Sequence, residues 1–187
     1  YLDPLNFATN VARFRDHDAH RTRLVTSNYW HGYGARGTGM WLCLFDHEGR
    51  VLAQWSQELP EGGGSVIIDS AEVRRRFALG EFHGSLFMHA MRVAGHDIVK
   101  YALDTYGDDP KVLSCTHDAN SWPSEFYGGL PAPNADEKVV LWIENSLPIP
   151  IPAGRIGLRR MGVEDDTRYL QSEIPAFGTR GLNVAEL

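Results

Sequence analysis

The stretch MWLCLFDHEGRVLAQWSQE, residues 40–58, contains two strand-sized apolar runs joined by a short polar turn. The turn, residues 46–50, places Gly49 where a tight hairpin needs positive φ, a conformation that glycine adopts without strain. The stretch therefore predicts an antiparallel β-hairpin formed by Met40–Asp46 and Val51–Glu58.

Strand signals continue on both sides of this hairpin, separated by turns rich in glycine and proline. A short helical turn is predicted to begin at Ser70, with Ser70 or Asp69 as its N-cap, and to end near Gly80. The sequence shows neither an amphipathic helix of three turns nor the βαβ pattern of a parallel sheet. It therefore predicts an all-β protein, an antiparallel β-sandwich. The further predicted strands are 23–28, 65–69, 85–93, 97–106 and 112–117.

The chain also aligns with itself, which predicts an internal repeat. Segments 24–28, 40–45, 58–60 and 68–73 align in order with 141–145, 156–161, 173–175 and 182–187. The offset falls in single steps from 117 to 114 residues, and the gaps fall in loops. Convergent patterning of strands and turns is the alternative explanation.

The repeat divides the chain into four predicted segments: an irregular N-terminal arm (1–22), a first sandwich unit (23–114), a connecting loop (115–138) and a partial second unit (139–187). The second unit has no counterpart of the strands that follow Val73, which leaves a sheet edge and part of a core open. Three completions are expected: a longer parent chain, strand addition by a partner subunit, or one fused sandwich.

Composition excludes several classes of partner. The net charge of −6 and the pI near 5.7 argue against a nucleic-acid surface. No apolar stretch approaches the ~20 residues needed to span a bilayer. Cys43 and Cys115 are too few for a disulfide scaffold, so two buried free thiols are preferred over one inter-strand disulfide. The compartment stays open, with a slight preference for the cytoplasm.

Two loops combine aromatic rings with polar side chains, as sugar-binding surfaces do, because rings stack on C–H faces while polar groups bind hydroxyls. Closing the ends of a core, or forming an interface, would use the same residues. A structural turn is the alternative for Asp118 and Asn120, which bond readily to nearby backbone. The candidate ligand-binding residues are Trp30, His31, Tyr33, His117, Asp118, Asn120, Trp122 and Tyr127.

Catalysis, metal binding and cofactors are not predicted. No nucleophile motif is present, and the histidines lack the paired spacing of a metal site. His83, His89 and His96 flank or occupy one strand at spacings of six and seven residues, which do not place them together on one face with ligand geometry. An enzyme that uses His117 with Asp118 stays as the third hypothesis.

The cycle of strands and turns resembles the sensory rhodopsin transducer family and related small bacterial β-sandwiches. The resemblance is carried by residues 27–28, by 44–46 with Gly49, by 59–60 and 66–69, and by the counterpart from Asn145 to Asn183. It implies a non-enzymatic binding module that oligomerises through its β faces. It provides no counterpart for the loop 115–131.

The leading hypothesis is therefore a non-catalytic binding module that recognises a small molecule or carbohydrate through its aromatic loops. The alternative is a structural or assembly subunit that uses these loops and an open sheet edge for protein contacts. Under either hypothesis, the protein is expected to form a homo-oligomer or to be part of a longer chain.

Overall fold

Antiparallel strands dominate the computed structural model, which describes residues 6–109, 111–117, 129–163 and 166–186. A seven-residue helix, α1 (Ser70–Arg76), begins where the Asp69 carboxylate accepts hydrogen bonds from the Ala71 and Glu72 amides. Asp69 is thus the N-cap, one of the two residues predicted for it. The first eight strands are β1 (Phe7–His17), β2 (His20–Ser27), β3 (Gly39–Asp46), β4 (Val51–Glu58), β5 (Ser65–Asp69), β6 (Phe82–Met91), β7 (Ala102–Gly107) and β8 (Leu113–His117).

These eight strands form one continuous antiparallel sheet that folds over on itself. The fold occurs at the β1–β2 hairpin, whose pairing is confined to Asp16 with Arg21 and His17 with His20. Beyond that point β5 takes the edge of β2. Two four-stranded layers result, in the order β4-β3-β6-β1 and β5-β2-β7-β8. The all-β antiparallel fold predicted from the sequence is confirmed.

One hydrophobic core fills the space between the two layers. Phe14, Leu42 and Leu86 enter it from the first layer, and Leu24 and Ile68 enter it from the second. Burial of such side chains stabilises a fold by roughly 1.5–3 kcal/mol each. The two layers therefore behave as one packed sandwich.

The predicted irregular N-terminal arm is wrong for most of its length, because residues 7–17 form β1. This strand lies between β6 and β2 in the sheet. Ala8, Ala12 and Phe14 point into the core, whereas Arg13 and Arg15 lie on the opposite face. Small core residues alternating with cations hide this strand from a search for apolar runs.

The predicted strand 97–106 begins later than expected, at Ala102. β6 belongs to the first layer and β7 to the second, so the chain must cross between the layers. Residues 92–101 make that crossing and run beside β1, where Thr9 pairs with Ile98 in a parallel bridge. The short connection between the predicted strands 85–93 and 97–106 therefore does not join two adjacent strands.

The C-terminal part of the chain forms short antiparallel ladders. β9 (Val140–Glu144) pairs with β12 (Thr179–Asn183), and β10 (Gly157–Leu158) pairs with β11 (Arg168–Tyr169). We call these ladders and their connections the C-terminal unit. Its division from the rest of the chain at residues 115 and 139, and its origin as a repeat, stay predictions.

The C-terminal unit packs against the β3–β4 hairpin. Phe177 stacks on Phe45 with ring centroids 4.7 Å apart, and the Thr179 amide donates to the carbonyl oxygen of His47 at 2.9 Å. Gly49 has φ +78°, and a Cβ there would overlap the carbonyl oxygen of Ala176. The glycine that the turn requires thus also allows the close approach of the C-terminal unit.

Both cysteines are free thiols, as preferred from the sequence. Cys43 is buried in β3, and burial raises the pKa of its thiol. Cys115 is exposed in β8, which differs from the expectation that both would be buried. β8 lies at the end of its layer, so its side chains have few neighbours.

Candidate functional site

The first predicted loop is a short 3-10 turn, Tyr29–Tyr33, and its most prominent ring is not on the surface. Trp30 is 0% exposed and belongs to the hydrophobic core. Its indole nitrogen donates to the carbonyl oxygen of His96 at 2.9 Å. The structure therefore gives Trp30 a core role, because its ring is enclosed and its donor is used.

His31 and Tyr33, from the same turn, do lie at the surface. His31 Nδ1 lies 2.8 Å from Glu61 Oε2, and the other oxygen of Glu61 accepts from the Gly37 amide. That backbone hydrogen bond, together with His31, lowers the pKa of Glu61. Tyr33 is 55% exposed, and its hydroxyl lies 3.0 Å from His96 Nε2. A ligand-binding role for this pair stays a prediction.

Of the candidate residues in the second predicted loop, the structure describes His117. His117 is exposed at the end of β8, paired with Ala102. It lines a shallow depression of about 270 Å³ with Tyr29 and Lys100. The structure thus brings His117 near the start of the first aromatic loop. The other candidates, Asp118, Asn120, Trp122 and Tyr127, lie outside the described residues.

A larger cleft, missed by the sequence reasoning, lies where the C-terminal unit meets the first sandwich. Its volume is about 540 Å³, within the range of small-ligand sites. We call it the inter-unit cleft. Its walls comprise the end of the β3–β4 hairpin, β6, and one face of the β9–β12 ladder: His47, Glu48, His83, Lys138, Val140, Trp142, Thr179, Arg180, Gly181 and Asn183.

Trp142 is the central aromatic residue of the inter-unit cleft. It lies opposite Gly181 in the ladder, and the absence of a side chain there lets the indole cross over β12. The guanidinium of Arg13 lies 3.3 Å from the centroid of the indole ring, a cation–π contact. The ring of His83 lies 6.0 Å from it on centroids. Trp142 nevertheless stays 37% exposed.

Buried polar atoms without a hydrogen-bond partner are concentrated at the inter-unit cleft. The described part of the chain has five such side-chain atoms. Four of them belong to the cleft and the wall behind it: Arg13 Nη1, His83 Nδ1, Glu144 Oε1 and Thr179 Oγ1. Thr179 and Glu144 face each other across the ladder, and His83 lines the same cleft. Because a buried polar atom costs free energy when unpaired, such a concentration is typical of a functional site.

Burial also shifts the ionisation of these groups. It raises the pKa of Glu144 to about 8, although the charge of Arg13 acts in the opposite direction. It lowers the pKa of Arg13 to about 10. Burial first, and then the neighbouring His47 and Arg13, lower the pKa of His83 to about 4. Near neutral pH the cleft wall therefore holds a neutral imidazole and a largely protonated carboxyl group.

The charge that remains at the cleft is mainly positive. Arg180 donates to the carbonyl oxygen of His47 at 2.9 Å and forms an ion pair with Glu48 at 3.1 Å. Lys138 is exposed at the rim. Among the residues that line the cleft, Glu48 is the acidic one and Arg180 and Lys138 are the cations, while Arg13 adds a third cation behind the Trp142 ring.

Three histidine rings also meet at this end of the sandwich. His47 stacks on His83 with centroids 4.5 Å apart, and His17 lies edge-on to His83 at 5.4 Å. Stacked rings do not point their nitrogen atoms at one centre. In the described ranges, no three His, Cys, Asp or Glu side chains have the arrangement of a metal site.

One signal of this site was present in the sequence. Glu144 ends the run VVLWIE, residues 139–144, and an acidic residue in an otherwise apolar strand is uncommon. His47 and His83 carried no such signal, because they meet only where β3 pairs with β6 in the sheet.

Comparisons with known proteins give no further information on this site. No family model, curated protein or solved structure matches the chain. The class that the fold and the cleft define is an all-β protein with an interface cleft between a sandwich and a second, smaller ladder. The resemblance to the sensory rhodopsin transducer family stays a prediction. Within the described residues, no helix has the length and hydrophobicity needed to cross a membrane.

Proposed function

We propose that the protein is a binding module that takes a small anionic ligand, chemically an acidic sugar, in the inter-unit cleft. The observation that carries the proposal is the concentration of four unpartnered buried polar atoms at the wall of one cleft. A carbohydrate ligand agrees with the class of ligand that the sequence favours, although the cleft replaces the aromatic loops as its site.

Hydrogen bonding supports a ligand with several hydroxyl groups. The hydroxyl of Thr179, which lines the cleft, can donate or accept, and so can the protonated carboxyl of Glu144, which lies opposite it in the ladder. The neutral ring of His83 has one donor and one acceptor nitrogen, and its Nδ1 is unpartnered among the described residues. Polyhydroxylated molecules match this mixture of donors and acceptors.

The cations and the exposed indole of the cleft further restrict the class of ligand. The rim cation Lys138 and the wall cation Arg180 favour a carboxylate. Trp142 provides exposed indole surface, which suits the C–H face of a sugar ring. A hexuronate combines a carboxylate with such a face, whereas the corresponding neutral hexose lacks the charge.

The test is calorimetric titration with glucuronate and, as the matched neutral probe, glucose, at pH 7 and low salt. We expect glucuronate to bind more tightly than glucose. Lys138→Gln is expected to weaken glucuronate binding about tenfold, the equivalent of one charge-assisted hydrogen bond. Binding of glucose is expected to change little in this variant.

Tyr33→Ala is the control variant, because Tyr33 belongs to the aromatic loop rather than to the inter-unit cleft. We expect it to bind glucuronate as the unchanged protein does. Loss of binding in Tyr33→Ala with retention in Lys138→Gln would move the site to the loop predicted from the sequence. No measurable binding of either sugar would contradict the proposal.

Assembly through a sheet edge is the second candidate function. A different observation favours it: no described strand pairs with the outer edge of β9. Such an edge is a template for another strand.

A further inference from the structure

The β2–β5 ladder and the β9–β12 ladder have the same register. Leu24 pairs with Ile68 in the first, and Leu141 pairs with Leu182 in the second. Each ladder comprises five residue pairs. The sequence alignment that equates 24 with 141 and 68 with 182 therefore also equates every pair of the two ladders.

A buried asparagine ends the leading strand of each ladder in the same way. Asn28 Nδ2 donates to the carbonyl oxygen of Pro60 at 3.0 Å, and Asn145 Nδ2 donates to that of Pro175 at 2.9 Å. The amide of Asn28 donates to Gly64 O, and that of Asn145 donates to Gly178 O. These residues also correspond in the alignment, so the two ladders are equivalent beyond their strands.

The equivalence of the two ladders shows that the outer edge of β9, which faces away from β12, corresponds to the edge of β2 that pairs with β7. In an antiparallel ladder, residues alternate between bonding to the partner strand and pointing their amides away from it. The bond from Asn145 to Gly178 sets this phase, so Val140 and Trp142 point their backbone groups away from β12. The equivalent residues of β2 are Arg23 and Val25, and they pair with β7. No described strand pairs with Val140 or Trp142 on that side.

The side chains next to this edge are less covered than their counterparts. Leu24 is 0% exposed in the core, whereas its equivalent Leu141 is only partly buried, and so is Ile143. Leu147 and Ile149, which follow β9, are 54% and 61% exposed. An apolar face thus adjoins a row of unpaired backbone groups, a combination that favours strand addition.

We infer that β9 pairs antiparallel with β9 of a second copy of this chain, in the place that β7 takes beside β2. The inference rests on the assembly function and does not require the inter-unit cleft to bind a ligand. A two-fold axis through Trp142 sets Leu141 opposite Ile143 of the other copy and Val140 opposite Glu144. The first pair joins two apolar side chains, and neither pair brings like charges together.

The direction of Trp142 agrees with this arrangement. Its indole leans over Gly181, towards β12 and away from the outer edge of β9. The strand also lacks the lysine or proline by which natural edges prevent pairing. The sequence of β9 is therefore compatible with pairing to β9 of a second copy.

The test is sedimentation of the full chain over a wide concentration range, with Val140→Pro as the blocking variant. Because the amide of Val140 points away from β12, proline removes an outward donor and keeps the bonds within the ladder. We expect the mass of the unchanged protein to rise from 20.9 kDa towards twice that value with concentration. Val140→Pro is expected to weaken self-association at least tenfold, whereas Val140→Thr, which keeps the amide, is expected to retain it.

Amide exchange by NMR keeps the test decisive if Val140→Pro does not fold. Protection of the Val140 and Trp142 amides is expected to rise with protein concentration in the unchanged protein. A mass of one chain at all concentrations, with rapid exchange of both amides, would overturn the inference and homo-assembly together. A dimer that Val140→Pro leaves intact would overturn the β9 contact alone.

Discussion

The β2–β5 and β9–β12 ladders share one register and one buried asparagine, but they have opposite surroundings. The first ladder buries Leu24 and Ile68 in the sandwich core and pairs β2 with β7 on its far edge. The second ladder turns the face that carries Trp142 and Glu144 towards the first sandwich.

The difference is clearest in the polar groups of the equivalent faces. On the first ladder Arg23 forms an ion pair with Asp69 at 3.3 Å, and the Tyr106 hydroxyl donates to Asp69 at 2.7 Å. Those groups lie near solvent with their partners. On the second ladder Glu144 and Thr179 are buried with unpartnered oxygens. Local sequence thus determines that a ladder forms. Long-range packing decides whether the polar groups on one of its faces lie near solvent with partners or are buried without them.

The largest contrast is expected for truncation of the equivalent leucines. Leu24→Ala removes a fully buried side chain and leaves a cavity, which costs about 3 kcal/mol in the free energy of unfolding. Leu141→Ala removes a partly covered side chain and is expected to cost about 1 kcal/mol. Urea denaturation followed by tryptophan fluorescence measures both.

Equal losses for the two variants would show that the second ladder has a core as complete as the first. Leu24→Val and Leu141→Val are the matched controls, because they shorten the side chain without removing it. We expect Leu24→Val to lower the free energy of unfolding more than Leu141→Val does, with a smaller difference than between the two alanine variants.

Truncation of the buried asparagines is expected to give the next largest loss of stability. Here the loss is larger in the second ladder than in the first, the reverse of the order for the leucines. Asn145 donates to the carbonyl oxygens of Ile149 and Pro175 and accepts from the Leu147 amide. Asn145→Ala therefore leaves several backbone groups without partners and is expected to cost about 2 kcal/mol. Asn28→Ala deprives the Pro60 carbonyl of its donor and is expected to cost about 1 kcal/mol. Thermal unfolding monitored by circular dichroism compares them.

Asn145→Asp separates donation from acceptance in this prediction. The carboxylate can still accept from the Leu147 amide, but it cannot donate to Ile149 and Pro175. Stability as low as that of Asn145→Ala is expected. Recovery of full stability in Asn145→Asp would contradict the role given to the two donated bonds.

The ladders also show which features the sequence could predict. β4 and β5 were predicted to the residue, because their strand-sized runs are bounded by glycine and proline turns. β1 was missed, because Arg13 and Arg15 suggest a solvated segment until Trp142 of the C-terminal unit is placed over Arg13. The inter-unit cleft was missed for the same physical reason: His83 and Thr179 are 96 positions apart in the sequence and meet only through packing.

The pH dependence of stability gives the smallest expected effect, and it tests the polar interior of the second ladder. The folded pKa of Glu144 is about 8, above the ordinary value of 4.5, so the folded state binds more protons between these values. Its stabilising contribution is complete below pH 4.5 and is lost as the pH rises through 8. His83, with its pKa lowered from 6.5 to about 4, acts in the opposite sense, and only below pH 6.5.

Between pH 6.5 and 8 the slope therefore reports Glu144 without His83. We expect the free energy of unfolding to fall by on the order of 1 kcal/mol over this window. Glu144→Gln keeps the shape and a donor but does not titrate, so its stability is expected to stay flat. Glu48→Gln, which removes an exposed carboxylate from the same cleft, is expected to keep the slope of the unchanged protein. A flat profile in the unchanged protein, measured by urea denaturation at four pH values, would mean that Glu144 is ionised and solvated, and that the two ladders differ less than their packing indicates.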